Sequence, residues 1–289
     1  MFPEFEDQPP TSSTLSALRL GRNPDTPVPL LAVNRLSAGM KRRLFRLLIP
    51  PTLLTHFHLN PITWENAAGA SLVSVQAEPH EHLLRLTARH EPDARDPFYF
   101  LELADNIFNG IEINLLVLSD PHSPRYYTDR TVEGRDTLFG TIHRNLVEEE
   151  RAMKAGLAPA QIRLGLRASR LVMDGLEWFA AVLGHTALYL EPLTYLDAWL
   201  FERRGCAYIS GRLLMQEIHQ EFQPGGRLHT ALDGSTPFRQ PEQWRTVRGR
   251  AWAIHDGILA TIDQSWNGVR MAKRVGYMSG VNTFPDALY

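Results

Sequence analysis

Ala160-Gln161-Ile162-Arg163-Leu164-Gly165-Leu166-Arg167-Ala168 is a polar, basic loop, and the stretch it opens, down to Ser210, decides the fold. Apolar residues at helical spacing predict a helix from Ala168 to Leu183, with Leu171, Leu176 and Phe179 inward and Gly184 as its stop. A short apolar strand, Thr186 to Leu190, comes after it. Next is a helix from Thr194 to Arg204 that stops at Gly205, and then a strand from Cys206 to Ser210. A basic, Gly-containing loop that opens a helix can hold an anionic group, because the N–H groups of the first turn have no acceptor inside the helix.

Upstream the period changes from helical to alternating. Ala70–Ala77, His82–Ala88, Phe98–Ala104 and Ile111–Leu118 read as strands, with turns at Asp96-Pro97, Asp105-Asn106 and Asn109-Gly110. Four strands with short turns make an antiparallel meander, and Arg125–Thr128 reads as a fifth short strand. A helix is expected from Thr137 to Ala155, capped by Thr137 or Asp136, with Leu138, Ile142, Leu146 and Met153 as its stripe. Residues 1–29, rich in Pro, Ser, Thr and Asp, read as an irregular arm. Leu36–Leu48 reads as an amphipathic helix ended by Pro50-Pro51, and Thr52–Leu59 as a second short one. Gly211–Phe222 and Trp244–Trp266 read as helices around a Pro- and Gly-rich loop, 224–241.

The expectation is an α+β protein with a mixed, largely antiparallel sheet flanked by helices and with helical N- and C-terminal additions. Its parts are an arm with helices (1–69), a central domain (70–210) and a C-terminal helical extension (211–289).

Composition narrows the function class. Of 289 residues, 30 are Lys or Arg and 32 are Asp or Glu; the net charge of −2 gives no general attraction to nucleic acid or membrane. The local clusters Lys41-Arg42-Arg43, Arg163/Arg167/Arg170 and Arg245/Arg248/Arg250 read as solvated helix faces. The single cysteine, Cys206, excludes an internal disulfide, fits a reducing cytoplasm, and reads as a small buried strand residue. The acidic N-terminus lacks the features of a signal peptide. The most apolar window, Trp178 to Leu193, is broken by Gly184, His185 and Glu191 and is too short to span a bilayer.

The order of elements, with Arg163-Leu164-Gly165-Leu166-Arg167-Ala168, Leu183-Gly184-His185-Thr186-Ala187-Leu188-Tyr189-Leu190 and Leu200-Phe201-Glu202-Arg203-Arg204-Gly205-Cys206, resembles the GNAT family of acyl-CoA-dependent N-acyltransferases. That family has an antiparallel meander, a pyrophosphate-binding loop opening a helix, a strand, a helix and a last strand. The resemblance covers roughly 71–210. It implies acetyl-CoA or another acyl-CoA as cofactor, a small amine as acceptor, and Arg163, Gly165, Arg167, Ala168 and Ser169 as the cofactor-binding set. Two departures stand out. About 40 residues intervene between Leu118 and Arg163, and Phe201 stands where the family commonly has a proton-donating Tyr.

Acyl transfer from a thioester to an amine needs a base for the amine proton, a donor for the oxyanion and a proton for the leaving thiolate. The resemblance puts the base on the fourth strand, where Glu112 and Asn114 share one face. Glu112 is therefore the candidate base, against the plainer reading of a surface carboxylate. Tyr195 and Tyr208 are the tyrosines nearest in sequence to the empty acid position, against the plainer reading of half-buried structural tyrosines. His56-Phe57-His58 and His80-Glu81-His82 have a spacing that suits a metal if they lie on strands; no metal is expected to be needed for folding, because neither pair has a clear third ligand nearby. The readings carried forward are an N-acyltransferase, a non-catalytic GNAT-like module that binds a ligand or partner, and a metal-dependent enzyme. A homo-oligomer is compatible with each.

Overall fold

The computed structural model describes residues 26–138, 140 and 143–288. The arm expected over 1–29 lies outside them as far as residue 25, and so does Ile142 of the expected helical stripe. Among the described residues the protein is α+β. Its seven strands form one mostly antiparallel sheet in the order β1-β2-β3-β4-β5-β7-β6.

The chain divides into two compact units. The first comprises residues 1–121, 165–190 and 273–277, and the second 122–164, 191–272 and 278–289.

The first unit opens with α1 (Leu30–Asn34) and α2 (Ala38–Phe45), a 3-10 turn (Arg46–Leu48) and α3 (Pro51–His56). Its meander is β1 (Val73–Gln76), β2 (Leu83–Ala88), β3 (Tyr99–Asp105) and β4 (Ile111–Leu118); the last three match the expected bounds to within a residue, and β1 is half the length of the expected 70–77. One face of these strands is the core: Leu84, Leu86, Tyr99, Leu101, Leu103 and Ile111 are fully buried. The crossover helix α5 (Ser169–Val182) leads to β5 (Ala187–Leu190), which pairs parallel to β4. Helix α5 buries Val172, Leu176 and Phe179, but Leu171, expected inward, is exposed. The helix turns its Gly175 instead toward the 3-10 turn, so close that a Cβ there would lie 2.2 Å from the carbonyl oxygen of Leu47.

The second unit holds α4 (Leu146–Lys154), α6 (Tyr195–Arg203), β6 (Ala207–Ser210), α7 (Arg212–Glu221), α8 (Arg227–Thr230) and α9 (Val247–His255). Strand β7 (Arg270–Arg274) pairs antiparallel to β6 through Arg270–Ala272. The expected stop Gly205 has φ +81° and ends α6, which starts on a capping box between Thr194 and Asp197. Cys206 is fully buried beside β6.

Several expectations fail here for local reasons. The helix expected over 137–155 exists only from Leu146, with Asn145 as its cap. Before it, Asp136 accepts from the N–H of Leu138 in an Asx turn, and Leu138 sits at φ +50°. Residues 125–128 form no strand, because their bonds go singly to a loop: Tyr126 N–H to Ile162 O and Thr128 Oγ1 to Gln161 O. The helix expected over 244–266 breaks at Gly257 (φ +82°), leaving α9 and a 3-10 turn at Ile258–Ile262. Strand β7 lies beyond the last element read from the sequence.

The basic clusters are solvated faces only in part: Arg43, Arg167, Arg170 and Arg245 are exposed, but others are engaged. Lys41 donates to Asn34 O and Ala77 O, Arg42 to Thr63 O and Arg46 to Ile62 O, and Arg250 is fully buried. No helix among the described residues is long and apolar enough to cross a membrane.

Candidate functional site

Strand β4 is where the sheet departs from regularity. Its ladder with β3 runs from Ile111 to Leu118, but the register shifts: Ile113 faces Leu103 and Leu115 faces Glu102, so Asn114 is an extra residue in a bulge. The Asn114 amide donates to Glu102, which also accepts from Arg85 Nε at 2.5 Å, and these bonds pin the bulge to the polar face of the sheet. A bulge bends its strand and re-aims the residues beyond it. On the other edge of β4 the parallel ladder with β5 covers only Ile111, Glu112 and Ile113. It ends one residue before the bulge.

From Asn114 to Leu118, then, β4 presents its β5-side edge to no strand among the described residues. Five residues of edge span about 13 Å at the usual rise. At the far end the edge meets the loop that opens α5, through a bridge between Ser119 and Gly165 and a bond from Leu166 N–H to Leu118 O of 3.4 Å. Helix α5 then begins with Ala168 at its N-cap, no capping side chain and no acidic residue in the first turn. Arg167 precedes it at φ +57°, with its side chain exposed. The N–H groups of Arg170 and Leu171 have no acceptor inside the helix, so this end carries partial positive charge. The first unit thus contains an open strand edge leading from the β4/β5 convergence to a positively polarised helix end, outside the C-terminal ends of two parallel strands.

The residues proposed from sequence sort unequally. Gly165, Arg167, Ala168 and Ser169 lie together at the start of α5, and Glu112 lies in the first unit with them, half-buried on β4. Gly165 is needed neither for a positive φ nor for space, since a Cβ there would make an ordinary 3.5 Å contact with Leu118 O. Arg163 belongs to the second unit and donates to the carbonyl of Ser123, so it acts as a loop clamp.

Tyr195 and Tyr208 also belong to the second unit, where they gather around Glu202. Tyr208 donates to Glu202 Oε1 at 2.6 Å, and Thr283 donates to the same carboxylate from its N–H (2.9 Å) and its hydroxyl (2.6 Å). Burial, with the Glu202 charge beside it, pushes the Tyr208 phenol well above its ordinary value. Burial pushes Tyr195 up to about 12, against the pull of the Arg250 guanidinium. Tyr208 is tied into a polar network on Glu202, and Tyr195 is buried beside it. Arg250 completes it, donating to Trp244 O at 2.6 Å and stacking 3.5 Å above the Phe284 ring.

The histidine pairs do not form ligand sets. His56 ends α3 and His58 sits at φ +58°, so neither is on a strand; His82 pairs with Asp105 at 2.9 Å. Among the described residues no three His, Cys, Asp or Glu side chains gather as metal ligands would.

The second unit also has an open groove of about 700 Å³ floored by Met153, Leu157 and Trp252 and edged by Thr236, Gln240 and Thr246. None of the residues singled out as site candidates lines it.

One residue missed from sequence is Tyr189. It stands directly across from Glu112 in the β4/β5 ladder and is half-buried on the same face. Its ring packs over Gly110, with Cε2 2.6 Å from where a Cβ on that glycine would lie. The Asn109-Gly110 turn signal gave no hint of this second use.

Comparison of the chain with family models, with curated proteins and with solved structures finds no match.

Proposed function

We propose that the protein is an N-acyltransferase of the GNAT type that takes an acyl group from acetyl-CoA or another acyl-CoA to a small amine. The observation that carries this is the coincidence of the Asn114 bulge with the end of the β4/β5 ladder. An extended chain bearing amide groups can lie along a bare strand edge as an added strand. A diphosphate is suited to an uncapped helix N-terminus with an Arg before it. Coenzyme A carries both, an amide-containing arm ending in a diphosphate, and the edge and the helix end come in matching order. The meander, loop, helix and parallel strand keep the order that the family resemblance implies.

On this reading Arg167 and the first turn of α5 hold the diphosphate, and the edge from Leu118 back to Asn114 orients the arm. The thioester supplies an activated acyl carbon, and Glu112 takes the proton of the attacking amine. Phe201, with no proton to give, favours the alternative of a ligand-binding module; that alternative predicts CoA binding without turnover.

Calorimetry with CoA and acetyl-CoA tests the proposal. The parent protein should bind both, and Arg167→Ala should weaken binding about five-fold, as expected for one exposed charge contact of about 1 kcal/mol. Arg163→Ala should leave affinity unchanged, because its guanidinium is engaged with Ser123. Absence of binding at millimolar ligand would remove the acyl-CoA reading.

A further inference from the structure

From Thr26 to Trp64 the chain carries five cations, Arg35, Lys41, Arg42, Arg43 and Arg46, and no Asp or Glu. The near-neutral charge of the whole chain hides this run. It lies in the first unit, as α1, α2, the 3-10 turn, α3 and the loop after them. Among the described residues none of the five cations pairs with a carboxylate. Three of them share one side: Arg42 and Arg46 stand one turn apart on α2 and the 3-10 turn, with Arg43 beside them. The loop clamps two of the guanidinium groups, since Arg42 donates to Thr63 O and Arg46 to Ile62 O at 2.7 Å. Arg42 also lies 4.9 Å above the ring of the buried Trp64. Arg42 and Arg46 nevertheless stay half-exposed, and Arg43 is exposed.

We infer that this face binds the phosphodiester backbone of a nucleic-acid strand without reading its bases, independently of the acyl-CoA reading. A guanidinium carries several N–H donors in a fixed fork, so one carbonyl bond sets its plane and leaves donors for a second acceptor. Fixed forks suit phosphate oxygens, and contacts to phosphate position a strand without sequence information. Trp64, the aromatic residue at this face, is turned inward beneath Arg42, so it offers no platform on which a base can stack. A bilayer fits the face less well. Its headgroups are fluid and need no fixed forks, and the exposed Ile62 beside Arg46 is too small an anchor for stable insertion.

Fluorescence anisotropy of the full chain with a labelled oligouridylate of about 12 nucleotides tests this. Three phosphate contacts on a single strand give a slope of log affinity against log salt of about −2. Binding should therefore weaken about 20-fold between about 50 and 200 mM salt. Arg43→Gln removes one contact and leaves the loop clamp alone. It should bind about eight-fold more weakly at about 50 mM salt and bring the slope to about −1.4. Arg43→Lys keeps the charge and should keep the slope. Arg212→Gln, the same change of charge at an exposed position of α7, should alter neither affinity nor slope. No binding by the parent at about 50 mM salt, a slope near zero, or equal losses in Arg43→Gln and Arg212→Gln overturns the inference. So does tighter binding of phosphatidylserine vesicles, or of a glutamate peptide of the same length, than of the strand. Either result would give the face to a membrane or to an acidic protein instead.

Discussion

Replacing Gly175 by alanine tests the packing that sets α5, and so the helix end on which the binding argument rests. In a helix interior, Gly→Ala ordinarily stabilises by about 1 kcal/mol. Here the new methyl would lie 2.2 Å from the Leu47 carbonyl oxygen, against the 3.4 Å at which ordinary contacts begin. The helix or the 3-10 turn must move by about 1 Å, and neither neighbour is a side chain that can swing aside. Overpacking of this kind costs roughly 1–3 kcal/mol, more where backbone must shift. The sum runs from about zero to a net loss of about 2 kcal/mol, against the gain expected without the close contact. Gly39→Ala in α2 is the control, because a Cβ there meets nothing within 4 Å; it should be neutral or stabilising. Urea denaturation monitored by circular dichroism measures both. If Gly175→Ala proves as stable as Gly39→Ala, the close approach of α5 to the 3-10 turn is wrong, and with it the position of the α5 N-terminus.

Other consequences concern the second unit. Glu149 is almost fully buried and pairs with Arg144 and His255. Burial pushes its carboxyl up, but the bonds from His255 and Arg144 outweigh this and hold it below the ordinary Glu value. A depressed folded value means stability that is present above about pH 4.3 and lost as pH falls through the folded value. Glu149→Gln should therefore cost about 3 kcal/mol at neutral pH, and the gap to the parent should narrow in urea titrations below about pH 4. Tyr208→Phe should cost about 2 kcal/mol, the scale of one bond to a charged acceptor, and leave CoA affinity unchanged. Lost CoA affinity in that variant would return Tyr208 to the site.

Much of this architecture was legible in the residues. Alternation in 83–88 and 111–118 gave strands whose bounds hold to within a residue, because one face is buried and polar residues fill the other. Gly205 and Thr194 marked the ends of α6 because caps and left-handed stops are local chemistry. What failed depends on distant partners. Arg250 reads as a solvated charge but is buried against Phe222 and Phe284. Arg163, in a cluster that also reads as a solvated face, donates to a carbonyl 40 positions earlier. The bulge at Asn114 leaves no mark in Ile-Glu-Ile-Asn-Leu-Leu-Val-Leu, because a single extra residue shows only against the facing strand.

Amide hydrogen exchange with and without acetyl-CoA tests the central claim most directly, since it reports where a ligand sits without assuming a reaction. The account predicts new protection on two segments, Asn114–Leu118 of the open β4 edge and Ser169–Val172 at the start of α5, with the groove beside Trp252 unchanged. Protection confined to that groove, or no protection at saturating acetyl-CoA, would contradict it.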